Sequence, residues 1–225
     1  MIVRYLGHAS FWISSGKGTS VVCDPYASWI PYHFPPLDAD IVVVSHEHRG
    51  HNADYRVGGN PLVVKRTHEF QCEQELTVPR TEEKMTFHGL PTFHDNYSGR
   101  KHGPNTVWHW YWEGIHYAHL GGLGHLLTDQ QVHAIGKVDI LFIPIGGKTT
   151  LNPTEAVLVV NQLSPRMVFP MHFLTDEIAN HGLCEFRLED FTSKMHNVED
   201  TATMAVEVDL ARLPSETKVM VLKHE

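Results

Sequence analysis

Two hydrophobic periodicities divide the chain. In the first half, apolar positions come in short runs broken by turn residues. Ile2–Tyr5, Ser10–Ile13 and Thr19–Cys23 are β-rich segments separated by Gly7 and by Ser14-Ser15-Gly16-Lys17-Gly18, and they predict three strands. Ile41-Val42-Val43-Val44 is uninterrupted and β-branched, the pattern of a strand buried on both faces. Leu62–Lys65, Glu75–Val78 and Met85–Phe93 predict further strands. Thr106–Glu113 alternates aromatic and polar residues, and Ile115–Leu120 follows a Glu113-Gly114 turn, so the two predict a hairpin. Between the early strands, Tyr26–Leu37 is rich in proline and aromatics. It reads as a loop that either shapes access to a site or packs on the surface.

The second half adds helical signals. Thr128 with Gln131 forms a capping box that opens a helix to about Ile135. Asn152-Pro153-Thr154-Glu155 supplies an N-cap, a first-turn proline and a glutamate at N3. The helix it starts should end near Leu163, before Pro165. Val138–Ile145 is a second buried strand run, and Met167–Phe169 a shorter one. Leu174–Asp200 is polar and expected to be helical in part. Val219–Leu222 is expected to close a sheet edge.

Composition narrows the class. The chain has 225 residues, 42% hydrophobic and 20% charged, which suits one globular α/β domain spanning residues 1–225. A net charge of -8 argues against general nucleic-acid binding, which needs a basic face, but leaves room for a small nucleotide substrate. Cys23, Cys72 and Cys184 are odd in number and form no CxxC pair, so a disulfide framework is not expected and a reducing cytoplasm fits. The N-terminal residues lack a signal-peptide pattern, and no apolar run approaches the ~20 residues that span a bilayer.

The unusual number is 18 histidines. His46 and His48 alternate at the end of the buried Ile41–Val44 strand and so face the same way. The Arg49-Gly50 turn then brings His51 back towards them. Imidazoles grouped this closely suit zinc or a similar borderline metal better than a solvated loop with chance histidines. His94 and His172 also follow predicted strands, although each taken alone reads as structural. His8 and His119 lie near strand ends, where lining a pocket and packing in a core are both open. Trp108, Trp110 and Trp112 share a strand face that is either core or an exposed surface favouring a homo-oligomer. The remaining histidines, His68 among them, carry no functional expectation.

His46-Glu47-His48-Arg49-Gly50-His51 resembles the HxHxDH signature of the metallo-β-lactamase superfamily. The flanking pieces resemble its subgroup of small stand-alone metal-dependent hydrolases, which includes the ascorbate-phosphate lactonases. They are Leu6-Gly7-His8-Ala9-Ser10, Asp24-Pro25, His94-Asp95, His119-Leu120-Gly121-Gly122-Leu123-Gly124, Ile143-Pro144-Ile145-Gly146-Gly147 and Pro170-Met171-His172, in family order up to about residue 173. The resemblance implies a four-layer αββα sandwich with metals at one edge of the sheets. It implies that His46, His48 and His94 bind a first metal and that His51 and His172 help to bind a second. Asp24 resembles the outer carboxylate that orients a ligand histidine.

The chain departs from the pattern at two places. Gly50 and Gly122 stand where the family has metal-binding aspartates. Neighbouring dications need anionic ligands to offset their repulsion, so the second site is expected to be empty or weak. The vacated space could then admit water or an anion such as phosphate. His51 and His172 would be free to act as catalytic acid or base. Three imidazoles and a water still make a complete catalytic zinc pattern. The resemblance therefore implies a hydrolase that cleaves an ester, lactone or phosphodiester through metal-bound hydroxide. The expected cofactor is a divalent metal, zinc first and then manganese, nickel or iron. The expected partner is a small anionic substrate. A catalytically silent metal- or ligand-binding member of the fold is the alternative, and an iron oxidoreductase ranks below both.

Overall fold

The computed structural model describes residues 1–66 and 72–224; His68 lies outside them. The first half gives β1 (Ile2–Gly7), β2 (Ser10–Ser14), β3 (Ser20–Cys23), β4 (Ile41–Val44), β5 (Leu62–Lys65), β6 (Cys72–Thr77) and β7 (Lys84–Phe93). It continues with β8 (Pro104–Trp112) and β9 (Ile115–His119). The second half gives α1 (Asp129–Ile135), β10 (Ile140–Pro144), α2 (Pro153–Leu163) and β11 (Met167–Met171). The chain closes with α3 (Leu188–Thr192), β12 (Val198–Asp200), β13 (Ala205–Glu207) and β14 (Lys218–Val221). One sheet runs β13-β1-β2-β3-β4-β5, and the other runs β12-β14-β11-β10-β9-β8-β7-β6.

Strand parity explains the layers. In β3 and β4, Val21, Cys23, Ile41 and Val43 join a core with Phe87, Trp108, Phe142 and Phe169 of the second sheet. Phe11 meets Phe142 across this interface with ring centroids 4.4 Å apart. The alternate residues Val22, Val42 and Val44 face outwards and join Tyr26, Ile30, Tyr32 and Phe34. A β-branched run is needed because β4 is apolar on both faces. The proline–aromatic loop is thus a packing layer over the first sheet, with Trp29 left exposed.

Over the second sheet, α2 presents Ala156, Val159, Val160 and Leu163, the i, i+3, i+4, i+7 stripe of an amphipathic helix. Asn152 Oδ1 accepts from the Thr154 and Glu155 backbone N–H groups, and Glu155 Oε2 accepts from Asn152 N. The Thr128–Gln131 box starts α1 in the same way. The β8–β9 hairpin turns at Glu113 and Gly114, both at positive φ.

Three expectations change. Val219 and its neighbours form β14, but β14 lies between β11 and β12 and is not an edge. Leu174–Asp200 holds only the short α3 and β12, because its apolar positions follow no sustained period. The three β8 tryptophans are buried, so they offer no face for a homo-oligomer. Among the described residues, no helix is long and apolar enough to cross a membrane, and all three cysteines are free.

The sheets are also joined by hydrogen bonds at one end. Thr106 N donates to Ser45 O at 2.9 Å, and Trp108 Nε1 donates to Val44 O at 2.9 Å. His119 Nε2 pairs with Ala9 O at 2.9 Å. The first two bonds hold the end of β4 against β8, and the third ties β9 to the turn between β1 and β2.

Asn152→Ala removes the cap of α2 and is expected to lower stability by about 1 kcal/mol. Denaturant titration should show a shifted midpoint with an unchanged slope.

Candidate metal centre

At the joined end of the sheets, six imidazoles converge. His46, His51 and His94 offer donor nitrogens that all lie within 4.8 Å of one another. His8, His51 and His172 form a second such group. The exposed His48 stands beside the first, its ring 4.7 Å from that of His46 and 5.0 Å from that of His94. The other five rings are buried. Each comes from a strand end: His8 after β1, His46 and His51 after β4, His94 after β7, and His172 after β11.

Four of these rings, His46, His51, His94 and His172, are aimed by a bond through Nδ1. His51 Nδ1 lies 2.8 Å from Asp24 Oδ2, and His46 Nδ1 lies 2.8 Å from Ser45 Oγ. Ser45 Oγ in turn donates to Asp24 Oδ2 at 2.6 Å, and Ser45 N donates to Oδ1 at 2.8 Å. His94 Nδ1 lies 2.8 Å from Thr149 O. His172 Nδ1 lies 3.3 Å from Cys184 Sγ. A neutral imidazole that donates at Nδ1 has its lone pair at Nε2, so these partners leave Nε2 as the ligating atom. Asp24, fully buried at φ 43°, is the hub of the network. Burial raises its pKa, while His119 and the two Ser45 hydrogen bonds act against that rise.

The residues fit a metal. His46 Nε2 and His8 Nδ1 are buried and make no hydrogen bond, an arrangement that costs free energy unless a ligand satisfies the nitrogen. Burial, and then the neighbouring imidazoles, lower the pKa of His8, His46 and His51 well below the ordinary 6.5. Burial and His94 lower His172 to about 4. Near neutral pH these rings are uncharged, the state a cation requires.

The space opposite the two glycines is occupied. A Cβ on Gly50 would lie 3.0 Å from His8 Nε2, and one on Gly122 would lie 2.6 Å from His94 Nε2. A side chain at either position would crowd these imidazoles, while Gly50 itself lines an open cleft beside them. Gly122 N also donates to Asn105 Oδ1 at 2.9 Å, which fixes the glycine turn beneath His94.

Other candidates have structural partners. His119 Nδ1 accepts from Gly121 N, and His125 uses both ring nitrogens on Phe93 N and Leu126 O. Asp95 turns away from the site. Its carboxylate accepts from the backbone N–H groups of Tyr97, Gly99, Lys101 and His102. Burial would raise its pKa, but those four donors bring it down to about 2. Glu47 is exposed and accepts from Asn52 Nδ2. His8 was the residue whose part in the cluster sequence left open. Its signals were the Gly7-His8 turn after a strand and its place in the family-like piece Leu6-Gly7-His8-Ala9-Ser10.

A cleft of about 250 Å³ opens onto the cluster, with Trp29, Arg49, Lys148 and Thr149 at its mouth. A larger one, about 720 Å³, lies on the other side of His48 against His102 and Lys65.

Comparison with known proteins agrees with this architecture. The family model for a beta-lactamase superfamily domain matches residues 2–172. A UPF0173 protein of Pyrococcus abyssi is 31% identical over 198 residues, 78% of this chain and 84% of the relative. A UPF0173 metal-dependent hydrolase of Pyrococcus furiosus is 26% identical over 193 residues, 77% and 84% of the two chains. An inferred Zn-dependent hydrolase of the metallo-β-lactamase superfamily from Thermotoga maritima superposes with a TM-score of 0.78. It is 31% identical, and the match covers 100% of this chain and 99% of that one.

The lowered histidine pKa values set a pH dependence. A histidine at about 4 when folded and 6.5 when unfolded, as for His172 and His109, takes up a proton on unfolding between those values. Its contribution is complete above pH 6.5 and is lost as pH falls towards 4. Metal-free protein should therefore show denaturation midpoints that decline across this window. A flat profile there would contradict the burial of these rings as neutral groups.

Proposed function

The chain belongs to the beta-lactamase superfamily, and from that membership we propose that it is a metal-dependent hydrolase cleaving an ester, lactone or phosphodiester of a small anionic molecule. The observation that carries the reading is the convergence of six imidazoles, four of them with Nδ1 already committed to a partner. His46, His48 and His94 would hold the well-bound ion. Zinc suits a set of neutral imidazole donors and is the first candidate, with manganese, nickel or iron the others. When bound, such an ion supplies Lewis acidity, polarising the scissile group and lowering the pKa of water.

The chain's own groups supply the rest. Asp24 and Ser45 keep the ligand rings from rotating. With one ion bound, His51 and His172 offer neutral Nε2 atoms that can accept a proton near the reacting group. Burial and His94 lower the His172 pKa to about 4, so near neutral pH the ring is uncharged and one nitrogen presents a lone pair. Arg49 and Lys148 place positive charge at the cleft mouth, and Trp29 provides an apolar wall. Together they favour an anionic substrate with a flat or apolar part.

One observation favours a second reading. Neither donor group contains a carboxylate to manage the water's proton, which suits a metal-binding member of the fold without turnover. Chromogenic phosphodiesters, esters and lactones, assayed alongside metal analysis, separate the two.

For the hydrolase, chelation should abolish turnover and added metal should restore it. His48→Ala should lower kcat/KM by about two orders of magnitude or more, the scale of a lost catalytic group. Chelator-resistant turnover would contradict the reading, and bound metal without turnover would favour the silent one.

Lys148→Met should raise KM for an anionic substrate about fivefold, equivalent to about 1 kcal/mol for an exposed charge contact, with kcat little changed. Steady-state kinetics at low and high salt check this, and the difference should shrink as salt rises.

A further inference from the structure

We infer that the chain holds a second divalent ion on His8, His51 and His172, with His8 taking the place of the side chain that residue 50 lacks. The donor nitrogens of these three residues lie within 4.8 Å of one another. The ring of His8 lies 4.2 Å from that of His172 and 5.0 Å from that of His51. All three are buried, and His8 Nδ1 has no hydrogen-bond partner. A buried imidazole nitrogen left without a partner is costly, and a cation removes that cost.

The glycine is the second observation. A Cβ at residue 50 would begin 3.0 Å from His8 Nε2, so any side chain there would press the imidazole out of its present position. Gly50 and His8 are complementary in volume: the turn at residue 50 carries no side chain, and the imidazole from the end of β1 lies beside it.

The backbone holds this arrangement. His8 and His172 both adopt φ 54°, a left-handed conformation that non-glycine residues rarely take. His172 N donates to His8 O at 2.7 Å, and Tyr5 Oη donates to the same carbonyl at 2.8 Å. The two imidazoles therefore reach the site from strand ends that are bonded directly to each other.

His51 belongs to both donor groups, yet its Nδ1 is committed to Asp24 and its one remaining lone pair can hold one ion. Its ring lies parallel to that of His172, at 13°. When His51 serves the second ion, His48 is in place to complete the first site with His46 and His94. Six imidazoles then divide into two sets of three. Neither set includes a carboxylate, so the ions' mutual repulsion is not offset by their ligands. The second ion binds more weakly than the first. This inference goes beyond the single-ion reading and shares only the first site with it.

Titration of metal-free, full-length protein with Co²⁺, followed by visible absorption and electron paramagnetic resonance, tests it. The wild type should take up two equivalents, and the second should attenuate the resonance of the first through spin coupling. His8→Asn keeps a residue that tolerates left-handed φ but removes the imidazole, and it should take up only the first equivalent. Gly50→Ala retains every ligand while crowding His8. It should weaken the second equivalent about tenfold or more, the scale of a disturbed ligand setting, and leave the first unchanged. A loss confined to the second equivalent in Gly50→Ala supports the site even if His8→Asn does not fold. Wild-type saturation at one equivalent, or two equivalents retained in His8→Asn, overturns the second site and leaves the single-ion reading standing. No uptake by the wild type overturns both.

Discussion

The cluster depends on a buried carboxylate that holds its histidines from behind. Asp24 accepts from Ser45 N, Ser45 Oγ and His51 Nδ1, and through Ser45 it also fixes His46. An unaided imidazole can present either nitrogen and turn about two bonds. Once Nδ1 has a partner, both the tautomer and the direction of the lone pair follow. Thr149 O does the same for His94, and Cys184 Sγ does so for His172. The donors are thus prepared before any cation arrives. Without this outer layer, the same histidines would be a set of costly buried polar groups.

The fold explains why that layer can form. Each contributing residue sits where a strand stops, and the sheets are bonded together at that end by Thr106 N to Ser45 O and Trp108 Nε1 to Val44 O. His8, Asp24 and His172 all take positive φ there. Such backbone is disfavoured for non-glycine residues and persists only where the surroundings over-determine it. Packing of Phe11 on Phe142 and the apolar alternation of β3 and β4 supply that surrounding rigidity.

The two glycines take on a different meaning in three dimensions. As a departure from a family signature, Gly50 and Gly122 signify lost ligands. In the folded chain they mark where imidazoles approach most closely, His8 against residue 50 and His94 against residue 122. The donor groups contain no carboxylate, but their nitrogen atoms still converge. On the proposed reading, such a centre would hold cations by neutral nitrogen alone and leave its remaining positive charge for an anion entering past Arg49 and Lys148.

Much of this was legible in the residues themselves. The β4 strand, both helix caps and the β8–β9 hairpin follow from local chemistry: β-branched runs, side-chain caps and a turn that accepts positive φ. The grouping of His46, His48 and His51 is local as well, and so it could be read from spacing. The aromatic loop after Pro25 could not be given its role as a layer, because packing depends on which sheet face lies beneath it. β12 and β13 are three-residue strands whose pairing comes entirely from distant partners. His8 belongs to the same class. It lies 164 residues from His172 in the chain, and only the closure of β1 against the end of β11 brings the two rings together. Sequence determined which donors exist and which strands end in them, because those are short-range properties. Tertiary structure alone decided which donors share a site, because that depends on contacts between strand ends far apart in the chain.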